Sequence, residues 1–308
     1  MDPDRPRYLP LVLSYLAVYV IWGSTYFFIR LAVETIPPYL LLGVRFSAGG
    51  LVLLASCWAA GRLRQGPDLK GVLSACLLGG LLLFGANGLV SVAEITVASY
   101  LVALTLACVP LAVALFDRLL FGKRVSALRL AGILLGVLGV GLLLYRGRLE
   151  VSLSPHTLLV LAATLLWAFA TSLGHRLPLH GDSLVNAAIE MLFAGAASLA
   201  VYLLSGRSLL PVLQAASPRS LAAVAFLTVF GSLAFVAFTY LLAREPAIRL
   251  VSHSLVNPAI AVLLGLAVGG EAASPLLAAG MPLVIAGLAV MLYGDTLARR
   301  WQSLRHRR

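Results

Sequence analysis

The chain has 308 residues, of which 61% are hydrophobic and 11% charged, and its mean hydropathy is +0.99. An ordinary soluble domain is about 25% charged, so this composition excludes a soluble domain and indicates an integral membrane protein. The formal net charge of +11 raises the alternative of nucleic-acid binding, which the placement of the basic residues argues against.

Apolar segments of membrane-spanning length follow one another along the chain with short polar breaks between them. About 20 such residues cross the hydrocarbon layer as a helix. The first segment runs into WGSTYFFIR without a small-x-small cleavage site, so it is predicted to be a retained helix and not a signal peptide. The sequence thus predicts an all-α membrane protein with ten transmembrane helices, at residues 11–29, 37–60, 71–90, 96–116, 126–145, 156–174, 183–204, 219–242, 247–268 and 275–293.

The basic residues predict the orientation of these helices. With the N-terminus inside, most of the 23 Lys and Arg residues fall in inside segments, which the positive-inside rule requires. Both termini are then cytoplasmic, and the basic tail 294–308 is a topology anchor near anionic lipid, with no nucleic acid as partner. The outside segments contain Arg30, Arg146, Arg148, Arg207 and Arg219.

Two halves of the sequence, residues 11–145 and 156–293, repeat a common pattern. An odd number of helices in each copy makes the second copy enter the membrane from the opposite side. Such inverted repeats are typical of secondary transporters, whose binding site lies between the repeats. The matched pairs are Trp22 and Trp167, Arg45 and Glu190, Pro110 and Pro258, Gly132 and Gly280, and Gly139 and Gly287.

Serine, threonine and tryptophan residues of the first and sixth spans are candidates for contact with a ligand. Ser24 and Thr25 follow Gly23, and their hydroxyls bond either a ligand or the preceding helical turn. Trp22, Tyr26 and Trp167, together with Tyr100 of the fourth span, are candidates for the flat walls around an organic ligand. The alternative for the aromatic residues is an interfacial belt, which fits Tyr26 best because it lies near a span end.

Arg45 lies about 8 residues into the second span, or roughly 12 Å along a helix. A charge at that depth costs on the order of 3 kcal/mol or more unless it is paired or hydrated. Its counterpart Glu190 is similarly deep. One interpretation is that both residues act at a cavity or gate, by contact with each other, with backbone carbonyls or with substrate. The alternative is that they form a purely structural pair or extend their charges toward the membrane interface.

Asn87 and Glu94 flank the end of the third span. Glu94 is predicted at the periplasmic mouth, where it is either a plain loop charge or a group for cation attraction or coupling. Pro110 and Pro258 each remove a backbone donor within a helix, which predicts matched kinks. Paired helix breaks point to a transporter's binding site, whereas a kink tolerated for packing is the alternative.

His253 and Asn257 lie one turn apart on one helix face. A histidine titrates near neutral pH, so His253 is a candidate for proton coupling. The alternative is a neutral histidine that is hydrogen-bonded to a neighbouring helix.

The remaining motifs exclude several chemistries. Cys57, Cys76 and Cys108 are scattered through spans, which fits small core residues better than a metal site or a disulfide framework. The sequence has no Walker lysine loop, HExxH or G-x-S-x-G motif, so neither a cofactor nor a catalytic site is expected.

The opening WGSTYFFIRLAVETIPPYLLLGVRFSAGG, with NGLVSVAE, AIEMLFAG, VNPAIAVLLG and GGE further on, resembles the EamA-type branch of the drug/metabolite transporter superfamily. The resemblance implies two inverted five-helix EamA repeats, a central cavity and passage of small metabolites. The chain departs from the family's pattern at Lys123, where the second half has Glu271, and at His253, where relatives tend to carry an aromatic residue.

These features together predict a secondary transporter that exports small organic metabolites or drugs across the inner membrane by alternating access. A membrane-embedded enzyme and a flippase acting on lipid-linked substrate are the alternatives, although the enzyme needs acids and histidines gathered at one place. The sequence does not distinguish a monomer from a homodimer.

Overall fold

The computed structural model describes residues 8–97, 102, 105–143, 145, 155–267 and 276–305. All regular secondary structure in these ranges is helical, which confirms the all-α prediction for them. The helices are α1 Tyr8–Val33, α2 Pro38–Ala59, α3 Leu69–Ala93, α4 Val109–Phe121, α5 Ala127–Leu143, α6 Pro155–Gly174, α7 Ser183–Leu204, α8 Leu209–Ala215, α9 Pro218–Leu242, α10 Ala247–Leu250, α11 His253–Ala267 and α12 Leu277–Arg305.

Seven helices in the described ranges are long and apolar enough to cross a membrane. They are α1, α2, α3, α6, α7, α9 and the segment Ala278–Thr296 of α12. At the other three predicted spans the described helices are shorter, with 13 residues in α4, 17 in α5 and 15 in α11.

Aspartates fix the starts of two long helices. The Asp68 carboxylate accepts a hydrogen bond from the Gly71 backbone N–H at 2.9 Å, just before α3. The Asp182 carboxylate accepts one from the Leu184 N–H at 2.9 Å, just before α7. Each bond satisfies a donor that would otherwise be unpaired in the first helical turn.

Three helices contain a π-helical turn. These turns are Ala17–Ile21 in α1, Gly80–Ala86 in α3 and Leu227–Gly231 in α9. The last two lie in helices that the sequence repeat relates to each other. Because a π turn inserts an extra residue, it changes which side chains face inward, and such turns are frequent at functional sites.

The fourth predicted span of each half is interrupted by a turn. Residues 107 and 108 form a turn before α4, so Pro110 is the second residue of that helix. A proline there removes no helical hydrogen bond. In this respect the structure differs from the predicted mid-helix kink. Pro258 does lie inside α11, which follows a turn at residues 251 and 252.

Helices α5 and α12 cross at their glycines. A Cβ added to Gly132 would lie 2.5 Å from the backbone nitrogen of Met291 and 2.9 Å from the carbonyl of Gly287, and one added to Gly139 would lie 2.6 Å from the nitrogen of Val284. Residue numbers rise along α5 as they fall along α12, so these helices are antiparallel.

Helices α2 and α7 are packed in the same manner. A Cβ on Gly195 would lie 2.5 Å from the nitrogen of Ser47, and one on Gly50 would lie 3.0 Å from the nitrogen of Leu192. The order of these contacts again makes the helices antiparallel. Both pairs join helices of the first half, α1–α5, to the helices that the repeat relates to them in the second half, α6–α12.

The main hydrophobic core lies between the two halves, where it includes Leu42, Leu82, Trp167 and Phe238. Large apolar side chains also face outward; examples are Leu51, which is 58% exposed, and Trp58, which is 75% exposed. An apolar exterior suits a hydrocarbon environment.

The glycine contacts between α5 and α12 give a first prediction. Replacing Gly132 by leucine should destabilise the protein by about 1–3 kcal/mol or more, because a larger side chain forces the two backbones apart. Thermal unfolding of the purified protein measures this effect. Gly141→Leu is the matched control, since a Cβ there meets nothing within 4 Å; equal stability of the two variants would contradict the packing argument.

Asp182 gives a second prediction. Burial raises the pKa of its carboxyl, but hydrogen bonds from Arg62 and the Leu184 N–H lower it more, so the pKa lies below its ordinary value. A depressed pKa stabilises the folded state above the unfolded pKa, and this contribution is lost as the pH falls through the folded pKa.

Asp182→Asn keeps a capping oxygen but removes the charge, so its unfolding temperature should be below wild type at pH 7. The difference should begin to shrink below about pH 4 and should disappear once the pH is below the lowered pKa of the folded state. Asp182→Ala also loses the cap, which costs about 1 kcal/mol more at either pH. A wild-type advantage over Asp182→Asn that is unchanged at low pH would exclude the charge as its cause.

Candidate functional site

A cavity of about 70 Å³ lies between the two halves. The first half contributes residues of α1, α2, α3 and α4 to its wall, and the second half contributes residues of α6, α9 and α11. The lining residues are Trp22, Thr25, Tyr26, Ile29, Arg45, Phe46, Leu83, Ala86, Asn87, Val90, Leu106 and Val109 from the first half, and Ala163, Trp167, Gly231, Phe235, His253 and Ser254 from the second.

An aromatic cluster forms one side of this cavity. The rings of Trp22 and Trp167 meet edge to face with centroids 5.5 Å apart. Phe238 lies 5.1 Å from Trp22 and 5.4 Å from Trp167, and the His253 ring lies 5.1 Å from Trp22. The two tryptophans that the sequence repeat pairs are therefore in direct contact, at the junction of α1 and α6.

Arg45 is buried on α2 with 4% of its surface exposed. Its guanidinium carbon lies 4.5 Å from the centroid of the Phe46 ring, a cation–π contact that compensates part of the cost of burial. Its Nε and Nη1 atoms have no hydrogen-bond partner among the described residues. A buried cation with free donors therefore faces the cavity.

His253 begins α11 and contacts Asn257 one turn later. The Asn257 amide lies 3.4 Å from His253 Nδ1. In the orientation that satisfies its donors, the amide nitrogen donates to the carbonyl oxygens of Tyr19 and His253, at 3.0 Å each. The amide oxygen then faces Nδ1, which favours a proton on Nδ1 and leaves a lone pair on Nε2. Nε2 has no partner among the described residues.

The hydroxyls of the first helix bond to the helix itself. Ser24 donates to the carbonyl of Ile21 at 2.6 Å, and Thr25 donates to the carbonyl of Trp22 at 2.8 Å. Of the two roles predicted for these hydroxyls, the structure shows the bond to the preceding helical turn. Thr25 nevertheless lines the cavity, as does Asn87, which follows the π turn of α3.

The two deep carboxylates lie away from the lining. Glu190 is fully buried, and neither of its oxygens has a hydrogen-bond partner in the described part of the chain. Glu190 packs at the crossing of α7 with α3, where its backbone would lie 2.3 Å from a Cβ on Gly79. No ion pair joins it to Arg45 within the described ranges.

Glu94 differs from the prediction of a solvated loop charge. It directly follows α3 and is fully buried, with both carboxylate oxygens lacking a partner among the residues described. Arg30 lies beside it and donates to the backbone carbonyls of Glu94 and Ile95. The coupling role of Glu94 and His253 stays a prediction.

Other predicted residues fall elsewhere. Tyr100 and Glu271 lie outside the described residues. Phe235 and Phe238 complete the aromatic cluster but were not predicted, because a phenylalanine in an apolar span is usually plain core. The π turns that place Gly231 and Leu83 at the cavity have no distinctive sequence signal.

A wider crevice of about 750 Å³ lies between α1 and α9. Helices α1 and α9 line both the crevice and the cavity. In α1 the residues of the crevice precede those of the cavity, and in α9 most residues of the crevice follow those of the cavity. Its lining residues are Pro10, Leu13, Ser14, Ala17, Arg62, Gly181, Asp182, Ser183, Leu184, Leu233, Val236, Ala237, Tyr240 and Arg244.

An ion pair joins the two halves beside this crevice. Arg62 Nη1, after α2, lies 2.8 Å from the Asp182 carboxylate, before α7. Arg244 lies over the Tyr240 ring at 3.9 Å, and its Nη1 is 3.3 Å from Ser183 Oγ. The polar edge of the crevice is therefore basic overall, and its floor is apolar.

The cavity between the halves is suited to binding an organic molecule. The walls of the cavity are mostly apolar, with a few polar groups that can fix the orientation of a ligand. In the described residues, no three His, Cys, Asp or Glu side chains are grouped so that they could hold a metal ion.

Comparisons with known proteins agree with the fold. The inner membrane transporter YedA of Escherichia coli strain K12, itself described as uncharacterized, is 37% identical over 294 residues, which cover 94% of this chain and 92% of that protein. YedA of Escherichia coli O157:H7 gives the same values. One protein with a solved crystal structure superposes with a TM-score of 0.73 at 23% identity, covering 94% of this chain and 99% of the other, a likeness that shows the fold alone.

The EamA-like transporter family matches residues 9–145 and again residues 155–293. The family that the sequence motifs resembled is thereby confirmed. The chain belongs to the EamA-like transporter family.

Proposed function

We propose that the protein is a secondary transporter of the inner membrane that moves small organic molecules outward by alternating access. The observation that carries this proposal is the antiparallel packing of repeat-related helices around one cavity. In such inverted repeats the two halves rock about a shared site and expose it to each side in turn. The proposal includes ten membrane-spanning helices, two inverted repeats at 11–145 and 156–293, and cytoplasmic termini.

The glycine contacts support the inverted relation of the halves. Gly132 contacts Gly287, and Gly139 contacts Gly280. The repeat relates Gly132 to Gly280 and Gly139 to Gly287, so exchanging the halves turns each contact into the other. A two-fold axis that passes between α5 and α12 has this property.

The size of the cavity supports a cycle with a wider state. A single water needs roughly 10–15 Å³ of such a volume, so about 70 Å³ accommodates a few waters. Ligand pockets usually measure roughly 300–1,000 Å³. A metabolite therefore requires the halves to separate around Trp22 and Trp167, and the interrupted helices before α4 and α11 are natural positions for that movement.

The crevice supports access from the cytoplasmic side. It opens at the end of the bundle where Arg62 and Arg244 lie, which the positive-inside rule places in the cytoplasm. Its residues on α1 and α9 are neighbours in sequence of the residues on the same helices that line the cavity. A route that is open to the cytoplasm suits a protein that collects its substrate inside and releases it outside, and YedA, named as an inner membrane transporter, is similar over nearly the whole chain.

A reversible cross-link across the crevice tests this route. Cysteines replace Ala17 of α1 and Val236 of α9 in a background without Cys57, Cys76 and Cys108, and a short bis-methanethiosulfonate joins them. Proteoliposomes loaded with a small-molecule extract of the host cells then report release of metabolites by mass spectrometry. We expect cross-linking to abolish protein-dependent release and dithiothreitol to restore it, because the helices can no longer move apart.

The two single-cysteine proteins, treated identically, are the controls and should keep their release. Full release from the cross-linked protein would contradict the proposed route. Scrambling of fluorescent lipid without any release of solute would instead favour a flippase.

A further inference from the structure

Several polar groups without partners meet at the cavity. They are Nε and Nη1 of Arg45, Nε1 of Trp167 and Nε2 of His253, on side chains that are at most 9% exposed, and none has a hydrogen-bond partner in the described ranges. A buried donor that stays unpaired costs about 1–3 kcal/mol, and a charged one more. The two arginine nitrogens and the tryptophan nitrogen carry protons whichever tautomer the histidine adopts. These four atoms therefore offer a ligand mainly hydrogen-bond donors.

The charge at the cavity is positive and is not balanced by contact. An arginine keeps its charge in a protein. Glu94 is near enough to interact electrostatically with Arg45, but its two oxygens bond neither Arg45 nor another described residue. Glu190 also forms no bond with it. Within the described ranges, the guanidinium therefore has no carboxylate at hydrogen-bonding distance.

Two helix starts add to this potential. α4 begins at Val109 and α11 at His253, and both residues line the cavity. The N-terminal end of a helix carries a partial positive charge. In transporters with interrupted helices, such ends face anionic groups of the substrate.

Part of the cavity wall is aromatic. Trp22 and Trp167 present rings within 5.5 Å of each other, and Phe235 extends the same surface. Flat apolar groups pack well against such rings, by offset or edge-to-face contact.

We propose that the ligand of this cavity is a small organic anion with a flat apolar body, its negative group bound by Arg45 and its body against Trp22 and Trp167. A carboxylate supplies two acceptors in the geometry of a guanidinium, and the Trp167 N–H is a further donor to it. The inference rests on the proposed transport function, whose wider state provides the room that this ligand needs.

Three compounds of similar shape test the charge preference. Indole-3-acetate is an anion, tryptophol is neutral and tryptamine is a cation. We expect isothermal titration of the full-length protein in nanodiscs to show tightest binding of indole-3-acetate, weaker binding of tryptophol and weakest binding of tryptamine. Arg45→Gln should weaken the binding of indole-3-acetate by about 10- to 100-fold and leave that of tryptophol nearly unchanged.

Arg45→Lys keeps a charge but loses the forked geometry, so it should retain part of the preference for the anion. Arg207→Gln, which changes an exposed arginine by the same charge, is the matched control and should bind like wild type. Retained binding of tryptophol shows that each variant is folded. The wild-type comparison of the three compounds stays decisive even if Arg45→Gln fails to fold.

Equal binding of the three compounds, binding of none, or binding of indole-3-acetate that is insensitive to Arg45→Gln in a folded protein would overturn the inference. The cross-linking experiment separates this failure from failure of the transport proposal. Release that responds to the cross-link, without any preference for the anion, rejects only the ligand class. Anion binding without cross-link-sensitive release rejects the proposed transport route.

Discussion

The burial of Arg45 within the helix bundle constrains the rest of the site. A charge within a membrane protein must face a partner or a polar cavity, since hydrocarbon solvates it poorly. Arg45 lies in the middle of α2, whose outward side chains are apolar, and its guanidinium points between the halves, against Phe46 and the cavity. The arrangement of α1, α6 and α11 around that point encloses the charge, and the same enclosure creates a place for a ligand.

Close helix crossings join the two halves at two interfaces. Glycines and other small residues allow the backbones of α5 and α12, and of α2 and α7, to come nearly into contact. Such crossings gain van der Waals contact, which is a main source of association between helices in a bilayer. The helices that line the cavity include π turns and interrupted segments. The bundle thus combines firmly packed interfaces with less regular helices that surround the cavity.

Two groups of polar residues in the chain have different physical tasks. Asp68, Asp182 and Ser24 satisfy backbone groups or other side chains nearby, so their chemistry is complete within the fold. Arg45 and His253 retain atoms without partners at the cavity. Because groups with unused hydrogen-bonding capacity are costly to bury, we infer that the second group binds the ligand. Asp68 and Asp182 of the first group set the starts of two helices, α3 and α7.

The sequence by itself determined the all-α membrane character, most helix positions, the family and the pairing of Trp22 with Trp167, because hydropathy, spacing and repeated residues are local or periodic signals. It also identified Arg45 and His253, since a polar residue in an apolar span is conspicuous. Only the tertiary structure decided that Arg45 and Glu190 are not partners, that Glu94 is buried and that Pro110 opens a helix. These outcomes depend on how helices rotate and cross, which π turns and glycine contacts set and which the order of residues along one helix does not specify.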